Sequence, residues 1–304
     1  MMEMFIEDRQ RGKMNLNEAM TERHSVRIYT DEPVSKTLLD DIAAEVERCN
    51  AASSLHFQIT SGLEDAFCGY KTHYGRFSGV HNAIALITPI DKPYDLHPAK
   101  KSPNTNIPAA DPIPPEEAEI EEKVGYYGEQ LALKLVQLGL VTSWAVLDDA
   151  AAGWWKLEPG ERVVWILAFG HPARPGAKHH SKPLDSFCSL PAALSPDATL
   201  TDAPDWFQRG IAAASLAPTS LSQQPFHFTL EDTQINTTQN ANDTNSSDGS
   251  DSSGVSDGSE ITCAKPLPTV SAQVTPGLFA HVGLGCAKRN FEIGAGTSNF
   301  KWAR

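Results

Sequence analysis

With 304 residues, 40% of them hydrophobic and 21% charged, the chain can bury one large core or two modest ones. A formal net charge of −13 excludes general affinity for a nucleic-acid backbone, which needs clustered positive charge. The 5 cysteines form no CxxC pair, so their spacing supports neither a disulfide framework nor a zinc site. No stretch has the apolar length of a membrane span or a signal peptide, and a soluble, cytoplasmic protein without membrane partners is expected.

Residues 1–14 read as a disordered tail, and a short helix is expected from Asn17, as N-cap, to Arg23. The segment RHSVRIYTDEPV is basic first and extended afterwards. A helix over 35–49 is capped by Ser35 and buries Leu38, Leu39, Ile42, Ala43 and Val46 on one face. Residues 55–60 alternate as a strand, and 82–88 form a buried strand stopped by Pro89. A Pro-rich loop occupies 94–119. Residues 124–144 then give a helix apolar nearly all round, interrupted by Glu129, Gln130, Lys134 and Gln137, which must be covered on nearly every side. Gly139 supplies a positive φ near its end, and the pattern runs out as far as Trp144. A strand over 162–169 ends at Gly170-His171-Pro172, and a polar, basic loop leads to a short helical stretch.

The order then repeats: a helix over 205–215, a polar break, and a strand over 226–230. Residues 236–260 are almost all Asn, Ser, Asp, Gly and Thr and read as a disordered insertion. Its G-x-S-x-G (Gly254 to Gly258) lacks the strand before and helix after that a nucleophile elbow needs. Residues 279–296 echo the central helix, with Leu284, Ala287 and Phe291 on one face. The recurrence predicts a duplicated body over 15–304, with halves at 15–200 and 201–304.

Four stretches could carry chemistry. In Arg23-His24-Ser25-Val26-Arg27, an extended backbone puts Arg23, Ser25 and Arg27 on one face, and guanidinium forks suit phosphate oxygens. The bland alternative is a solvated basic turn. In Ala217-Pro218-Thr219-Ser220-Leu221-Ser222-Gln223-Gln224-Pro225, prolines stiffen a loop of hydroxyls and amides that could bond the edge of a polar ring; alternatively, it is a helix stop and turn. Lys178-His179-His180-Ser181-Lys182 could add a cation but has no further metal ligand at suitable spacing. Gly283-Leu284-Gly285-Cys286-Ala287-Lys288 is half of a dinucleotide fingerprint.

Together these stretches resemble the nitroreductase family of flavin enzymes. RHSVRIY is similar to its R-[RH]-S-x-[RK]-x-[FY] motif, and APTSLSQQPF to its A-P-S-x-x-N-x-Q-P-W loop. YYGEQLALKLVQLGLVTSW is similar to its core helix, and GHPAR…KHHSKPLDSF to its tail. The late position of the A-P-T-S loop resembles single-chain members of thermophilic-bacterial type, which hold two nitroreductase-like halves. The resemblance implies an α+β sandwich with two pseudo-symmetric halves and FMN between them. It implies phosphate contacts from Arg23 and Ser25, with His24 beside them and Lys182 closing from the tail. Arg27 and Trp144 would lie near the flavin ring, and Pro218, Thr219, Ser220, Ser222 and Gln224 would reach in from the other half. It further implies NAD(P)H as donor, a nitro compound or quinone-like acceptor, and a monomer. Ser222, Phe226, Gly283 and Asn290 replace the family's Asn, Trp, Asp and His. A flavin-binding protein without turnover is the rival reading, and a Rossmann-type nicotinamide enzyme, resting on the half fingerprint, is a third.

Overall fold

Two four-stranded sheets divide the chain in the computed structural model, which describes residues 14–90, 113–148, 150–177, 180–191, 193–195, 197–231 and 266–303. The predicted tail (bar Met14) and insertion 236–260 lie outside the described residues. In the first half come α1 (Leu16–Glu22), α2 (Lys36–Ser53), β1 (Gln58–Thr60), β2 (Asn82–Thr88), α3 (Pro115–Gln137), β3 (Val141–Val146) and β4 (Arg162–Gly170). After them follow β5 (Cys188–Ser189), α4 (Asp205–Ala214), β6 (Phe226–Leu230), β7 (Thr269–Val274), α5 (Ala280–Ala295) and β8 (Lys301–Trp302).

The first sheet has the order β1-β2-β4-β3, with every neighbour antiparallel. Its β2 is buried at every residue because the sheet is covered on both faces, which is why NAIALIT reads as an unbroken apolar run. One face packs on α2 and α3 through Ile84, Leu86, Leu131 and Leu135; the other carries Tyr29, Phe67, Ile166 and Trp155. The second sheet has the order β5-β6-β7-β8 and packs Phe226 and Phe228 against α4 and α5. The series helix, strand, antiparallel strand, helix, strand occurs twice, as α2-β1-β2-α3-β3 and α4-β6-β7-α5-β8. Strand β5, which follows β4 in the chain, joins the second sheet beside β6 in parallel, so the first half contributes an edge to the other's sheet.

Several local expectations change. The cap of α1 is Asn15, not Asn17, because Asn15 closes a capping box with Glu18, taking its N–H and giving its own to the Glu18 carboxylate. Ser35 caps α2 by accepting from Leu38 N, and that helix runs on to Ser53. The strand expected over 55–60 shortens to three residues, since Asn50 holds Phe57 through both backbone groups. Helix α3 begins at Pro115, inside the expected loop; proline suits the first turn, and Glu116 and Glu117 favour its dipole. At its end Gly139 has φ +79, and the apolar run beyond is strand β3 and not a continuation of the helix. Gly283 to Lys288 lie within α5, not at a strand-to-helix turn, so the half fingerprint is a helix-packing pattern and the Rossmann reading falls.

Candidate functional site

A cleft of about 360 Å³ opens where the segment after α1 meets the loop after α4, with walls from both halves. Its first wall is Arg23 to Arg27. Val26 N donates to Thr142 O of β3 at 3.0 Å, so the extended segment is stitched to the sheet edge. Arg23, His24, Ser25 and Arg27 all line the cleft. Arg23 is buried, donates from Nη2 to Leu216 O at 3.1 Å, and lies 3.4 Å through Nε from the Glu129 carboxylate of α3. Arg27 sits over the Phe77 ring at 5.8 Å, and its buried Nε has no acceptor.

The opposite wall is the loop 217–224. Pro218, Thr219, Ser220, Ser222 and Gln224 line the cleft, with Leu221 among them. Leu221, Ser222 and Gln224 have φ of 52, 55 and 47, on either side of a right-handed Gln223, and each left-handed position costs energy in a residue with a Cβ. The Gln224 side chain holds that shape. Its amide N donates to Ser215 O at 2.8 Å and Ser181 Oγ at 2.9 Å, and its oxygen accepts from Lys182 N at 2.9 Å. Gln224 N donates to Thr219 Oγ1 at 3.0 Å, closing the loop on itself. Gln224 is thus a clasp whose own polar atoms are already engaged.

Lys182 does not line the cleft. Its ammonium donates to the Gln223 carbonyl at 2.5 Å and approaches that of Gln224 at 3.4 Å, behind the loop. His180 does line it, whereas Lys178 and His179 lie outside the described residues.

Aromatic side chains complete the enclosure. Trp144 packs against the cores of both halves, and its buried Nε1 has no acceptor. Trp165 meets Phe279 edge-on at 5.4 Å. Tyr74, from the loop between β1 and β2, crosses the cleft so that its hydroxyl lies 2.9 Å from Ser220 Oγ. Burial raises the Tyr74 phenol above its ordinary pKa, against the pull of Ser220 and Arg27, so it stays protonated near neutral pH. The sequence reading missed Tyr74, Trp165, Phe279 and Glu129. No motif marks Tyr74, and Glu129 was read only as a polar break in an apolar helix. It is fully buried, and burial pushes its carboxyl up to about 7, opposed by Arg23, Asn290 and Arg289.

Among the described residues, the lining carries Arg23, Arg27, His24 and His180 but no Asp or Glu, in a chain of net charge −13. A cationic cleft with hydroxyl donors and flat aromatic walls suits an anionic ligand bearing a planar ring. Among the described residues, no group of three or more His, Cys, Asp or Glu could hold a metal ion, and no helix is long and apolar enough to cross a membrane.

Fold and cleft together define a two-halved α+β chain with a polar ligand cleft between its halves. The model of the family described as "Putative TM nitroreductase" matches residues 15–97 and 113–295, and the chain belongs to that family. A nitroreductase structure from Thermotoga maritima is 20% identical, with 72% of this chain and 73% of that one covered and a TM-score of 0.44. A nitroreductase family protein from Streptococcus pneumoniae is 16% identical over 57% of this chain and 98% of that one, with a TM-score of 0.41. One from Desulfovibrio desulfuricans, described in complex with FMN, is 19% identical over 57% and 95%, with a TM-score of 0.39. No curated protein matches the chain.

Proposed function

We propose that the chain is an FMN-binding oxidoreductase passing electrons from NAD(P)H through the flavin to a small acceptor such as a nitro compound or a quinone. The observation that carries this reading is the cleft between the halves, whose described lining holds two arginines and no carboxylate, in an acidic chain of a nitroreductase family. The residues fit the cofactor: Arg27 Nε and Trp144 Nε1 are buried donors without acceptors, and FMN is rich in acceptors. Arg23, His24 and Ser25 would hold the phosphate, Arg27 and Trp144 the ring, and Pro218, Thr219, Ser220 and Ser222 its far edge. Gln224 and Lys182 would act through the shape of the loop. Bound flavin would supply the redox chemistry, hydride acceptance from NAD(P)H and electron delivery to the acceptor. Trp144 and the loop 217–224 would orient the ring, Tyr74 would exclude water, and Arg23 and Arg27 would offset negative charge. The halves would meet at 201, and because both belong to one chain, a monomer using nicotinamide in the cytoplasm is the matching state.

The test is the absorbance spectrum of the purified protein. Flavin bands that bleach on adding NAD(P)H support the enzyme; bands that do not bleach leave a binder; absence of binding on adding FMN overturns both. Arg23→Ala should weaken FMN binding by roughly 30- to 150-fold, the equivalent of about 2–3 kcal/mol, and riboflavin binding far less. Arg48→Ala, at an exposed arginine of α2, should change neither.

A further inference from the structure

Behind the cleft, Arg23 meets a carboxylate that the flavin reading alone does not need. Glu129 is 0% exposed, and its ion pair with Arg23 lacks hydrogen-bond geometry. Neither of its oxygens meets a donor at full hydrogen-bond geometry; the side chain of the fully buried Asn290 lies close enough to favour the charged form, and its amide has no other partner. A fixed structural ion pair is normally held by several well-aligned donors; here Arg23 stands at 3.4 Å and Asn290 makes a weak contact, so the carboxylate is loosely held. Arg23 therefore stands between the cleft and a carboxyl that can change its charge.

We propose that Glu129 sets the charge Arg23 presents to the cleft, so that a phosphate-bearing ligand and a proton on Glu129 bind together. The proposal rests on the reading of the cleft as a flavin-phosphate site. With Glu129 ionised, the guanidinium is neutralised from behind and a phosphate dianion also meets the carboxylate's repulsion. With Glu129 protonated, the whole charge of Arg23 faces the ligand. Occupancy then favours the protonated carboxyl, and the protein takes up a proton as it binds.

The surroundings leave Glu129 as the group that answers. Arg23 faces it from the end of α1; Glu18 is held in the capping box, and Glu22 is exposed. From α5 come Arg289, Asn290 and Cys286, whose thiol burial holds well above its ordinary pKa. Farther along α5, Lys288 pairs with Glu122, and Glu292 accepts from Tyr126 and Trp302. From α2, Glu45 is bound by Arg48 and Gln130, and burial pushes the Cys49 thiol up to about 12. Strands β2 and β3 carry no ionisable side chain, and β4 carries only Arg162, at its start. The carboxyl of the unliganded protein is ionised above about pH 7, so coupling should be strongest between about pH 7 and 8.5. The ligand's own phosphate has its second ionisation near pH 6 and releases protons on binding as a dianion, which is the opposite sign.

Isothermal titration calorimetry of the flavin-free full chain, in buffers of differing ionisation enthalpy, counts those protons. At pH 7.5 the wild type should take up about half a proton with FMN and none with riboflavin. Its FMN affinity should fall about sixfold from pH 6.5 to 8.5, as a carboxyl shifted by about one pKa unit requires. In Glu129→Gln the FMN affinity should be flat across that range and equal to the wild type's low-pH value. A purely structural Glu129 would weaken both flavins in the variant and leave the FMN pH dependence in place, which overturns the proposal. Wild-type FMN binding without proton uptake overturns it too while leaving the flavin site standing, and this holds even if Glu129→Gln does not fold. If neither flavin binds the wild type, the flavin reading fails, and the proposal with it.

Discussion

Gly125 of α3 and Gly285 of α5 each lie against the backbone of the other's helix. A Cβ on Gly125 would strike Val282 O, and one on Gly285 would strike Glu122 O and Tyr126 N, far inside the 3.0 Å that real Cβ atoms keep. The contacts are reciprocal, as expected where equivalent helices of two similar halves cross. Backbone atoms cannot turn aside as a side chain can, so the helices would have to separate. Gly125→Ala and Gly285→Ala should each destabilise the fold by roughly 3 kcal/mol or more, despite alanine's helix preference of about 1 kcal/mol. Urea denaturation of both variants measures this; a stabilised variant would show that the helices do not touch there.

Gln224→Ala removes three side-chain hydrogen bonds and leaves Ser215 O without that donor in a buried setting. A loss of about 2–4 kcal/mol is expected, with faster proteolysis between 218 and 224. Limited proteolysis and thermal melting check both parts. Unchanged cleavage would show that the loop keeps its shape without the clasp.

Leu221 tests the opposite case. Its φ of 52 is strained, yet its side chain is 63% exposed and buries little. Leu221→Gly should raise stability by about 1 kcal/mol, since glycine adopts this conformation without steric cost. Chemical denaturation decides it; a clear loss would mean that the leucine side chain contributes packing at the cleft mouth.

Glu121 makes stability depend on pH. It is buried in α3, and that burial pushes its carboxyl up to about 8 from an ordinary 4.5. The folded chain therefore holds this proton more tightly than the unfolded chain. Its contribution is intact below about pH 4.5 and is lost progressively as pH rises to about 8. Glu121→Gln should be more stable than the wild type at pH 9, by on the order of 2–4 kcal/mol, and nearly equal to it at pH 4.5. Equal midpoints at both pH values would show that the carboxyl is solvated.

What the sequence disclosed depended on how each signal arises. Asn82 to Thr88 is visible residue for residue because a strand buried on both faces writes an unbroken apolar run. The start of α3 was hidden because its first turns, Pro115 to Glu119, are polar and carry no apolar period. Val141 to Val146 merged with the helix before it because an apolar run without a clear period does not announce its own geometry. Thr269 to Val274 went unnoticed because only part of that strand is buried. In the cleft, the Arg23 to Arg27 segment and the loop 217–224 were visible as motifs, and both line it. Tyr74 comes from a loop without a motif, and the pairing of Arg23 with Glu129 joins positions 106 apart that no local pattern connects.

The crossing of α3 and α5 also fixes an order of events during synthesis. Helix α5 covers the stretch of α3 that bears Gly125, which is made more than 150 residues earlier. Until residues 280–295 emerge, the first half presents a helix evolved for backbone-close contact with nothing against it, a form prone to the wrong association. A chain cut off before Ala280 should therefore be captured by chaperones or aggregate while its first sheet is already complete, so the yield of native protein depends on how promptly residues 280–295 follow.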